Sequence, residues 1–399
     1  MCIMVSSSVR RALSGTDGPV GVIDRDALDR NIESMSRRAA GLPIRLASKS
    51  IRVPEAMRRI LRHPGYRGLL VFSLAEALDL LAEGFTNLLV AYPTADRQAL
   101  GRLAADSQAR AEITLMIDST EHLDFLAATL PLHADAPLRL CLDVDAAYQI
   151  SPRLLRGRGY LGTRRSQVRT PQHAAALARQ IDACPGVRLV GILSYEGQVA
   201  GTANKGEGIR PRAVRALQRR SMRELATRRP EIIAAVQEVT DLEFVNGGGT
   251  GSLEISAAEG SLTELGAGSG VFAPALFDHY QNFQHEPAAF FARPVVRRPG
   301  EQWVTVAGGG LVASGPAGAS RLPVIDWPEG LDYAPLEGPG EVQTPLRGPA
   351  AATLSLGDLV WFRHAKGGEL AEHLNEYLVV SHGEIVERWP TYRGKGWVY

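Results

Sequence analysis

The chain has 399 residues, of which 45% are hydrophobic and 22% are charged, and its formal net charge is +1. This composition is typical of a globular protein with two domains, or one large domain and an appendage. The near-neutral charge argues against nucleic acid or an anionic membrane as a partner. No apolar stretch approaches the roughly 20 residues of a membrane-spanning helix. Three cysteines without a CxxC spacing favour a soluble protein of the reducing cytoplasm.

Short apolar runs alternate with longer amphipathic runs from about residue 20 to 270. The runs that predict strands are VGVID (20–24), IRLAS (44–48), GLLVFS (68–73), NLLVAYP (87–93), ITLMID (113–118), LRLCLDVDA (138–146), VRLVGILSYEG (187–197) and LEFVNGGG (242–249). Such continuous runs are typical of strands buried on both faces of a parallel sheet. The intervening segments carry apolar residues at helical spacing, as at Met57, Ile60 and Leu61. About eight β/α units favour a (β/α)8 TIM barrel over an open Rossmann sheet.

The composition of the sequence changes after about residue 275, where glycine and proline become frequent. Runs such as WVTVAGGG, LVWFRH and EYLVVSHGEIVERWP are typical of antiparallel strands with turns. We therefore predict an α/β barrel domain over 22–275 and a β-rich domain over 276–399. We expect residues 1–21 to join the β-rich domain.

One lysine stands out, because the chain contains only four lysines and otherwise uses arginine for its basic residues. Lys49 follows the apolar run IRLAS, at the end of a strand where barrels of this type place their active sites. A lysine there can be desolvated and become a nucleophile that forms a Schiff base. The structural alternative is a side chain that extends its ammonium into water.

Two glycine turns follow the last two predicted barrel strands. In FVNGGGTGS (244–252), the glycines let backbone N–H groups converge on an anion, and Thr250 and Ser252 add hydroxyl groups. The second turn is ELGAGSG (264–270). Adjacent glycine turns of this kind form the phosphate site after strands seven and eight of many barrels. A lysine on one strand and a phosphate site across the barrel suggest pyridoxal phosphate (PLP).

The sequence resembles the alanine-racemase-like, fold type III group of PLP enzymes. Within that group it is similar to the D-threonine aldolase and D-serine dehydratase branch, and to sequences usually labelled amino acid deaminase/aldolase. The resemblance runs nearly end to end. The motifs that carry it are IDRDALDRNI, RLASKS, FSLAEALDLLAEG, LGTRRS, LVGILSYEGQ, NGGGTGS, GSGVFAPALFDHY and RHAKGGEL.

The resemblance implies roles for individual residues. It makes Lys49 the residue that carries PLP and places Tyr195 beside the cofactor. The phosphate would be held by the two glycine turns, at Gly249, Thr250, Gly251, Ser252, Gly268, Ser269 and Gly270. Arg164 and Arg165 in LGTRRS can reach the phenolic oxygen of the cofactor or the substrate carboxylate, and surface charge is the alternative for both.

The sequence departs from its relatives at three positions. Ala47 stands where the branch has a histidine two residues before the lysine, and Gln198 replaces the histidine of YxGH. The family's metal site uses a His-x-Cys pair in the C-terminal domain, where this chain has His364 but Lys366 instead of cysteine. An ammonium repels cations, so we weigh three interpretations: a zinc-like site that keeps His364, an ammonium that replaces the metal charge at the substrate, and a solvated lysine.

Three further side chains are expected near the cofactor or the pocket. Family members place the partner of the pyridine nitrogen near Glu264 and Gly266, and a carboxylate there would keep the ring protonated. His279 and Tyr280 follow the last barrel strand closely, so we expect them near the pocket.

The function that we predict is a PLP-dependent lyase for a small β-hydroxy amino acid of D configuration, acting by dehydration with deamination or by retro-aldol cleavage. His364 and Lys366 would act at the β-substituent. The first alternative is an amino acid racemase, whose second base would be Tyr280 or Tyr392. The second is a non-catalytic PLP-binding protein, and a decarboxylase is a weaker possibility. The resemblance also implies a homodimer.

Overall fold

The computed structural model of the protein describes residues 4–150 and 159–399. The described residues pack into two compact units. The barrel unit comprises Met35–Lys49, the described part of Ile60–Gly268, and Tyr399. The sheet unit comprises the described part of Met1–Ser34, Ser50–Arg59 and Ser269–Val398. No described helix is long and apolar enough to cross a membrane.

The strands are numbered here in chain order. They are β1 (Val20–Asp24), β2 (Ile44–Ala47), β3 (Tyr66–Val71), β4 (Leu88–Val90), β5 (Ile113–Ile117), β6 (Leu138–Asp143), β7 (Tyr148–Gln149), β8 (Tyr160–Leu161), β9 (Val187–Ser194), β10 (Phe244–Gly247), β11 (Glu264–Ala267), β12 (Ala289–Gly300), β13 (Trp303–Ala307), β14 (Val324–Trp327), β15 (Asp332–Tyr333), β16 (Gln343–Arg347), β17 (Leu359–Arg363), β18 (Glu376–Ser381) and β19 (Glu384–Pro390).

Eight parallel strands close into a barrel in the order β2, β3, β4, β5, β6, β9, β10 and β11, with β11 pairing back onto β2. Strands β2, β4, β5, β10 and β11 are buried at every residue. This burial explains the continuous apolar runs, because helices cover the outside of a barrel while side chains fill its interior. The predicted TIM barrel is confirmed.

The α-helices span Ser7–Ala12, Arg25–Arg38, Pro54–Leu61, Leu74–Ala82, Arg97–Ala105, Ser107–Glu112, Thr120–Thr129, Pro171–Asp182, Gly197–Ala200, Ile209–Gln237 and Leu253–Glu259. Several begin at a side-chain cap that the sequence shows. The side chains of Ser73, Asp96, Ser119 and Thr170 each accept a hydrogen bond from the backbone N–H three residues later. Such caps satisfy N–H groups that the helix leaves unpaired, and so they fix where the helix begins.

The sheet unit is built on nine strands. Seven lie in the order β15, β16, β13, β12, β1, β18 and β19, and β17 pairs with both β12 and β14. Most pairs are antiparallel, but β1 and β18 are parallel. A core that includes Val22, Phe290 and Trp361 packs on one face of this sheet. The predicted β-rich second domain is confirmed.

One strand lies elsewhere than the sequence indicates. VGVID was predicted as the first barrel strand, but β1 pairs with β12 and β18 of the sheet unit. The run is apolar because it is buried in the middle of a sheet, and a central strand of either unit has that pattern. The barrel therefore begins at β2, so Lys49 follows its first strand and the two glycine turns follow its seventh and eighth.

Candidate active site

Lys49 lies directly after β2, in the short 3-10 helix Ser48–Ser50, at the carboxyl end of the barrel strands. Its side chain is exposed there, and its Nζ donates a hydrogen bond to the Oη of Tyr92 over 2.8 Å. Tyr92 follows β4, two strands away in the barrel. Sequence reasoning missed Tyr92, since nothing in NLLVAYP marks the tyrosine except its position after a strand.

The charge around Tyr92 changes its acidity. Burial alone would raise the pKa of the phenol, but the positive charges of Lys49 and Arg165 outweigh burial, and the pKa is lowered. The Arg165 guanidinium lies 5.1 Å from the ring centre of Tyr92 and 5.3 Å from that of Tyr195. Burial, and next the charge of Glu196, raise the pKa of Tyr195 to about 12. Tyr195 is therefore a neutral phenol, whereas Tyr92 ionises more easily.

The glycine turn after β10 needs glycine at two positions. Gly248 has a φ of +79°, which strains any other residue. A Cβ at Gly249 would come within 2.8 Å of the Cβ of Ala200 and 3.3 Å of the Tyr195 ring. Tyr195 therefore lies against this turn, and the Gly251 N–H makes no hydrogen bond with any described residue. That N–H is available to an anion.

A buried carboxylate that the sequence analysis did not single out supports the turn. Glu196 accepts hydrogen bonds from the Gly248 N–H over 3.1 Å, the Ser252 hydroxyl over 3.1 Å, and the Ser256 hydroxyl. Arg229 balances its charge with an ion pair of 2.9 Å. The Ser252 hydroxyl also accepts the Gly249 N–H over 3.2 Å. The proton of the Ser252 hydroxyl is therefore used inside the protein, in the hydrogen bond to Glu196.

The second glycine turn follows β11. A Cβ at Gly268 would lie 2.6 Å from the carbonyl oxygen of Ala47. The backbone can therefore approach β2 this closely only because residue 268 is glycine. Ser269 and Gly270 begin the 3-10 helix Ser269–Val271, which belongs to the sheet unit. The barrel thus brings Lys49, Tyr92, Arg165, Tyr195 and the glycine turn after β10 to one end.

Glu264 does not have the role that the sequence analysis suggested. It is fully buried, and Arg45 binds its two oxygens at 2.6 and 3.0 Å. Asn246 donates a further hydrogen bond of 2.8 Å. Arg45 also donates to the carbonyl of Asn87, which immediately precedes β4, so the network lies toward the amino ends of the strands. A carboxylate used in this way does not face a cofactor at the carboxyl ends.

Comparison with known proteins decides the family. The family described as "Alanine racemase, N-terminal domain" matches residues 23–235, which is more than half of the chain. The chain belongs to that family.

Two relatives with lyase names match part of the chain. A D-threonine aldolase of Arthrobacter sp is 27% identical over 70% of this chain and 66% of its own length. A 3-hydroxy-D-aspartate aldolase of Paracoccus denitrificans is 25% identical over 64% of this chain and 60% of its own length. The chain therefore matches somewhat less than two thirds of these relatives.

Solved structures of the family share the whole fold. The D-threonine aldolase from Filomicrobium marinum has a TM-score of 0.76 at 21% identity, covering 100% of this chain and 99% of that one. D-threo-3-hydroxyaspartate dehydratase from Delftia sp. HT23 has a TM-score of 0.68 at 21% identity, covering 95% and 98%. At these identities the likeness shows the fold, a PLP-enzyme barrel with a β-rich second unit.

The residues at the carboxyl end of the barrel fit the PLP of this family. They include one amine on a strand end, an aromatic and arginine layer beside it, and a glycine turn with an unbonded backbone N–H. These groups match the aldehyde, the ring and the phosphate of the cofactor in their chemistry. The family's YxGH histidine is replaced by Gln198, whose amide donates to the Ala146 carbonyl and the Ser221 hydroxyl at 2.7 and 2.8 Å. Gln198 is therefore a structural residue.

The residues do not fit the family's metal site. His364, in the sheet unit, is buried, and burial followed by the charge of Arg363 lowers its pKa to about 3. Its imidazole is neutral, and neither ring nitrogen has a hydrogen-bond partner among the described residues. Lys366 instead donates to the Ser314 hydroxyl over 2.9 Å. In residues 4–150 and 159–399, no three His, Cys, Asp or Glu side chains are grouped to hold a metal.

The remaining candidates differ in their exposure and in their contacts. Tyr280 and Tyr392, considered as a second racemase base, are 4% and 1% exposed. The Tyr392 hydroxyl contacts the Met57 sulfur at 3.9 Å. The guanidinium of Arg164 stacks over the Tyr160 ring at 4.3 Å, so of the two adjacent arginines it is Arg165 that lies against Tyr92 and Tyr195. His279 ends the 3-10 helix Ala275–His279 of the sheet unit and is exposed.

Proposed function

We propose that this protein is a PLP-dependent lyase that acts on small β-hydroxy D-amino acids, by dehydration with deamination or by retro-aldol cleavage. The observation that carries the proposal is the position of Lys49. Its amine lies at the carboxyl end of the first barrel strand, within 2.8 Å of a tyrosine of lowered pKa. The names of the relatives, D-threonine aldolase and 3-hydroxy-D-aspartate aldolase, give the substrate class.

Each part of the cofactor has residues that would hold it. Lys49 would hold the aldehyde carbon, and Arg165 and Tyr195 would lie beside the ring. Gly249, Thr250, Gly251, Ser252, Gly268, Ser269 and Gly270 would surround the phosphate. When bound, PLP supplies an electron sink that stabilises negative charge at the substrate Cα.

The chain's own contribution begins with a proton at the Lys49 Nζ. The Nζ donates a hydrogen bond to the Tyr92 Oη, and the lowered pKa of that phenol makes its phenolate, the form that can accept this proton, more available. Lys49 in its neutral form can then accept a proton from the substrate. Arg165 holds positive charge beside both tyrosines and favours the phenolate of Tyr92.

The β-substituent needs a second group, and we propose Lys366 and His364 for this role. Lys366 lies in the sheet unit, where its Nζ donates a hydrogen bond to the Ser314 hydroxyl over 2.9 Å. An ammonium in that segment can donate a proton to a β-hydroxyl or hold it by charge, without a metal. His364 as a metal ligand remains a prediction, since the described residues form no group of three His, Cys, Asp or Glu side chains that could hold a metal.

The test uses protein loaded with PLP and offered D-serine and D-threonine, each beside its L form. The proposal predicts pyruvate and ammonia from D-serine, or glycine and acetaldehyde from D-threonine, and no such products with Lys49→Ala. A chelator should leave turnover unchanged if Lys366 replaces the metal charge, and chelator inhibition would restore His364 as a ligand. Release of the enantiomer alone would make the protein a racemase, and binding without turnover would make it a PLP carrier.

We also infer a cytoplasmic homodimer. The resemblance supports the dimer, and the described cysteines, Cys141 and Cys184, are both unpaired, as is usual in a reducing compartment. Light scattering should give twice the chain mass of 43.0 kDa, and a monomer would contradict the inference.

A further inference from the structure

A cavity of about 420 Å³ opens beside Tyr92 in the barrel unit. It is lined by residues that follow β4, β5 and β6: Tyr92, Pro93, Asp118, Ser119, Glu121, His122, Asp143, Arg165 and Gln167. Two of its walls, Tyr92 and Arg165, are also the neighbours of the site around Lys49. The cavity therefore continues from the site, and a substrate that reacts at Lys49 can extend its side chain into it. Its volume is ample for a chain of three or four carbons.

The charge that faces this cavity is mainly negative, and one carboxyl has no side-chain partner. Asp143 is 6% exposed and lines the cavity, and no described side chain donates a hydrogen bond to its carboxylate or forms an ion pair with it. Asp145, two residues later and equally buried, is ion-paired with Arg169 at 2.8 Å and accepts the Tyr160 hydroxyl and the Ala147 N–H. The fold thus pairs the Asp145 carboxylate and leaves the Asp143 carboxylate at the cavity without a side-chain partner.

The other charged groups of the cavity compensate the Asp143 carboxylate only in part. Asp118 pairs with the His122 imidazole at 3.1 Å, and Glu121 is exposed. Arg165, the cavity's one guanidinium among the described residues, lies over the Tyr92 and Tyr195 rings and attracts Asp143 by its charge without forming an ion pair with it. Burial raises the pKa of Asp143 to about 7, although the charge of Arg165 acts to lower it. A cation that enters the cavity gains a nearly buried carboxylate that no other side chain binds directly.

We propose that this cavity is a subsite for a cationic group at the end of the substrate side chain, with Asp143 as the residue that binds it. The inference rests on the proposed function and narrows its substrate class to β-hydroxy D-amino acids with a basic side chain. A side-chain carboxylate, as in 3-hydroxy-D-aspartate, would meet Asp143 and Asp118 and be repelled. A metal ion is not the cation, since the described residues form no group of ligands for one.

The test measures binding through the absorbance of PLP-loaded protein. The probes are D-ornithine, D-norvaline, which has the same carbon chain without the amine, and D-glutamate. None has a β-hydroxyl, so affinity is measured apart from turnover. We expect D-ornithine to bind about tenfold or more tighter than D-norvaline, and D-glutamate to bind weakest. In Asp143→Asn, the preference for D-ornithine should shrink to within about threefold.

Glu121→Gln is the matched control, because it removes an exposed carboxylate of the same cavity. It should keep the D-ornithine preference. Equal affinities for D-ornithine and D-norvaline in the wild-type protein would overturn the subsite, whatever the variants do. D-threonine distinguishes a failure of the subsite from a failure of the proposed function. If D-threonine changes the PLP absorbance while D-ornithine binds no more tightly than D-norvaline, only the subsite is wrong. If no amino acid changes the absorbance, the proposed function fails and the subsite with it.

Discussion

The two ends of the barrel differ in how their buried charged side chains are paired. Toward the amino ends of the strands, the Glu264 carboxylate is bound by Arg45 through two hydrogen bonds and by Asn246 through a third. At the carboxyl ends, Asp143 is almost as buried but its carboxylate has no side-chain partner, and Lys49 is exposed beside Tyr92. Both ends contain charged residues on parallel strands, so residue type alone does not separate them.

The difference lies in whether the protein itself satisfies the charge. Removing a carboxylate from water is costly, and a fold that only needs stability offsets the cost with a partner, as Arg45 does for Glu264. A carboxylate left without a partner at a cavity keeps its binding capacity for a ligand. The paired charges at the amino ends of the strands therefore stabilise the fold, and the carboxyl ends form the candidate binding site. Four variants test this difference between the two ends.

The largest effect is expected from Lys49→Ala. Removing the amine should lower turnover by about 10⁴-fold, because the residue both holds the cofactor and moves a proton. The PLP absorbance of the purified protein should be lost while its circular dichroism is unchanged. Lys49→Arg is the control for charge: it keeps the cation but cannot form the covalent bond, so it should be as inactive as alanine.

Arg45→Met should have a large effect on stability and a small one on the site. It leaves Glu264 buried with Asn246 and the distant, exposed Arg67 as neighbours, and should cost about 3–5 kcal/mol of unfolding free energy. Urea unfolding measures this change. The double variant Arg45→Met with Glu264→Leu should recover most of the loss, since it leaves no charge unpaired. Loss of PLP binding in the folded single variant would contradict the contrast between the two ends.

Asp143→Asn should act on stability in a pH-dependent way. The pKa of Asp143 is raised from 3.8 to about 7 by burial, so the folded protein binds this proton more tightly than the unfolded chain. That contribution to stability is fully present below pH 3.8 and is lost as the pH rises through 7. Relative to wild type, the variant should therefore gain about 2–3 kcal/mol between pH 5 and pH 8. Unfolding by urea at both pH values tests this, and parallel changes in the two proteins would refute it.

Tyr92→Phe should have the smallest effect. It removes the 2.8 Å hydrogen bond to Lys49 but keeps the ring, so turnover should fall about tenfold and stability should change by less than about 1 kcal/mol. A pH–rate profile is the informative measurement. The alkaline limb of the wild type should show an ionisation below 10, the ordinary pKa of a tyrosine. If Tyr92→Phe retains that ionisation, the phenol is not its source.

The contrast also explains where sequence reasoning failed. The resemblance places the partner of the pyridine nitrogen near Glu264, but Glu264 is the first residue of the four-residue strand β11, and its network with Arg45 lies toward the amino ends of the strands. Asp143 and Asp145 are nearly identical in sequence context. Only the position of Arg169 and Tyr160 in space distinguishes the paired carboxylate from the open one.

The sequence by itself determined the barrel, the second β-rich unit and the position of Lys49 after a barrel strand. It could do so because apolar runs, glycine turns and a rare lysine are local signals that burial and backbone sterics impose directly on residue type. The tertiary structure alone decided that β1 pairs in the sheet unit, that Glu196 and Arg229 support the glycine turn, that Tyr92 meets Lys49, and that Asp143 faces a cavity. Those facts depend on which distant strands become neighbours. Pairing of charges across strands is fixed by register and closure of the barrel, which no short stretch of sequence contains.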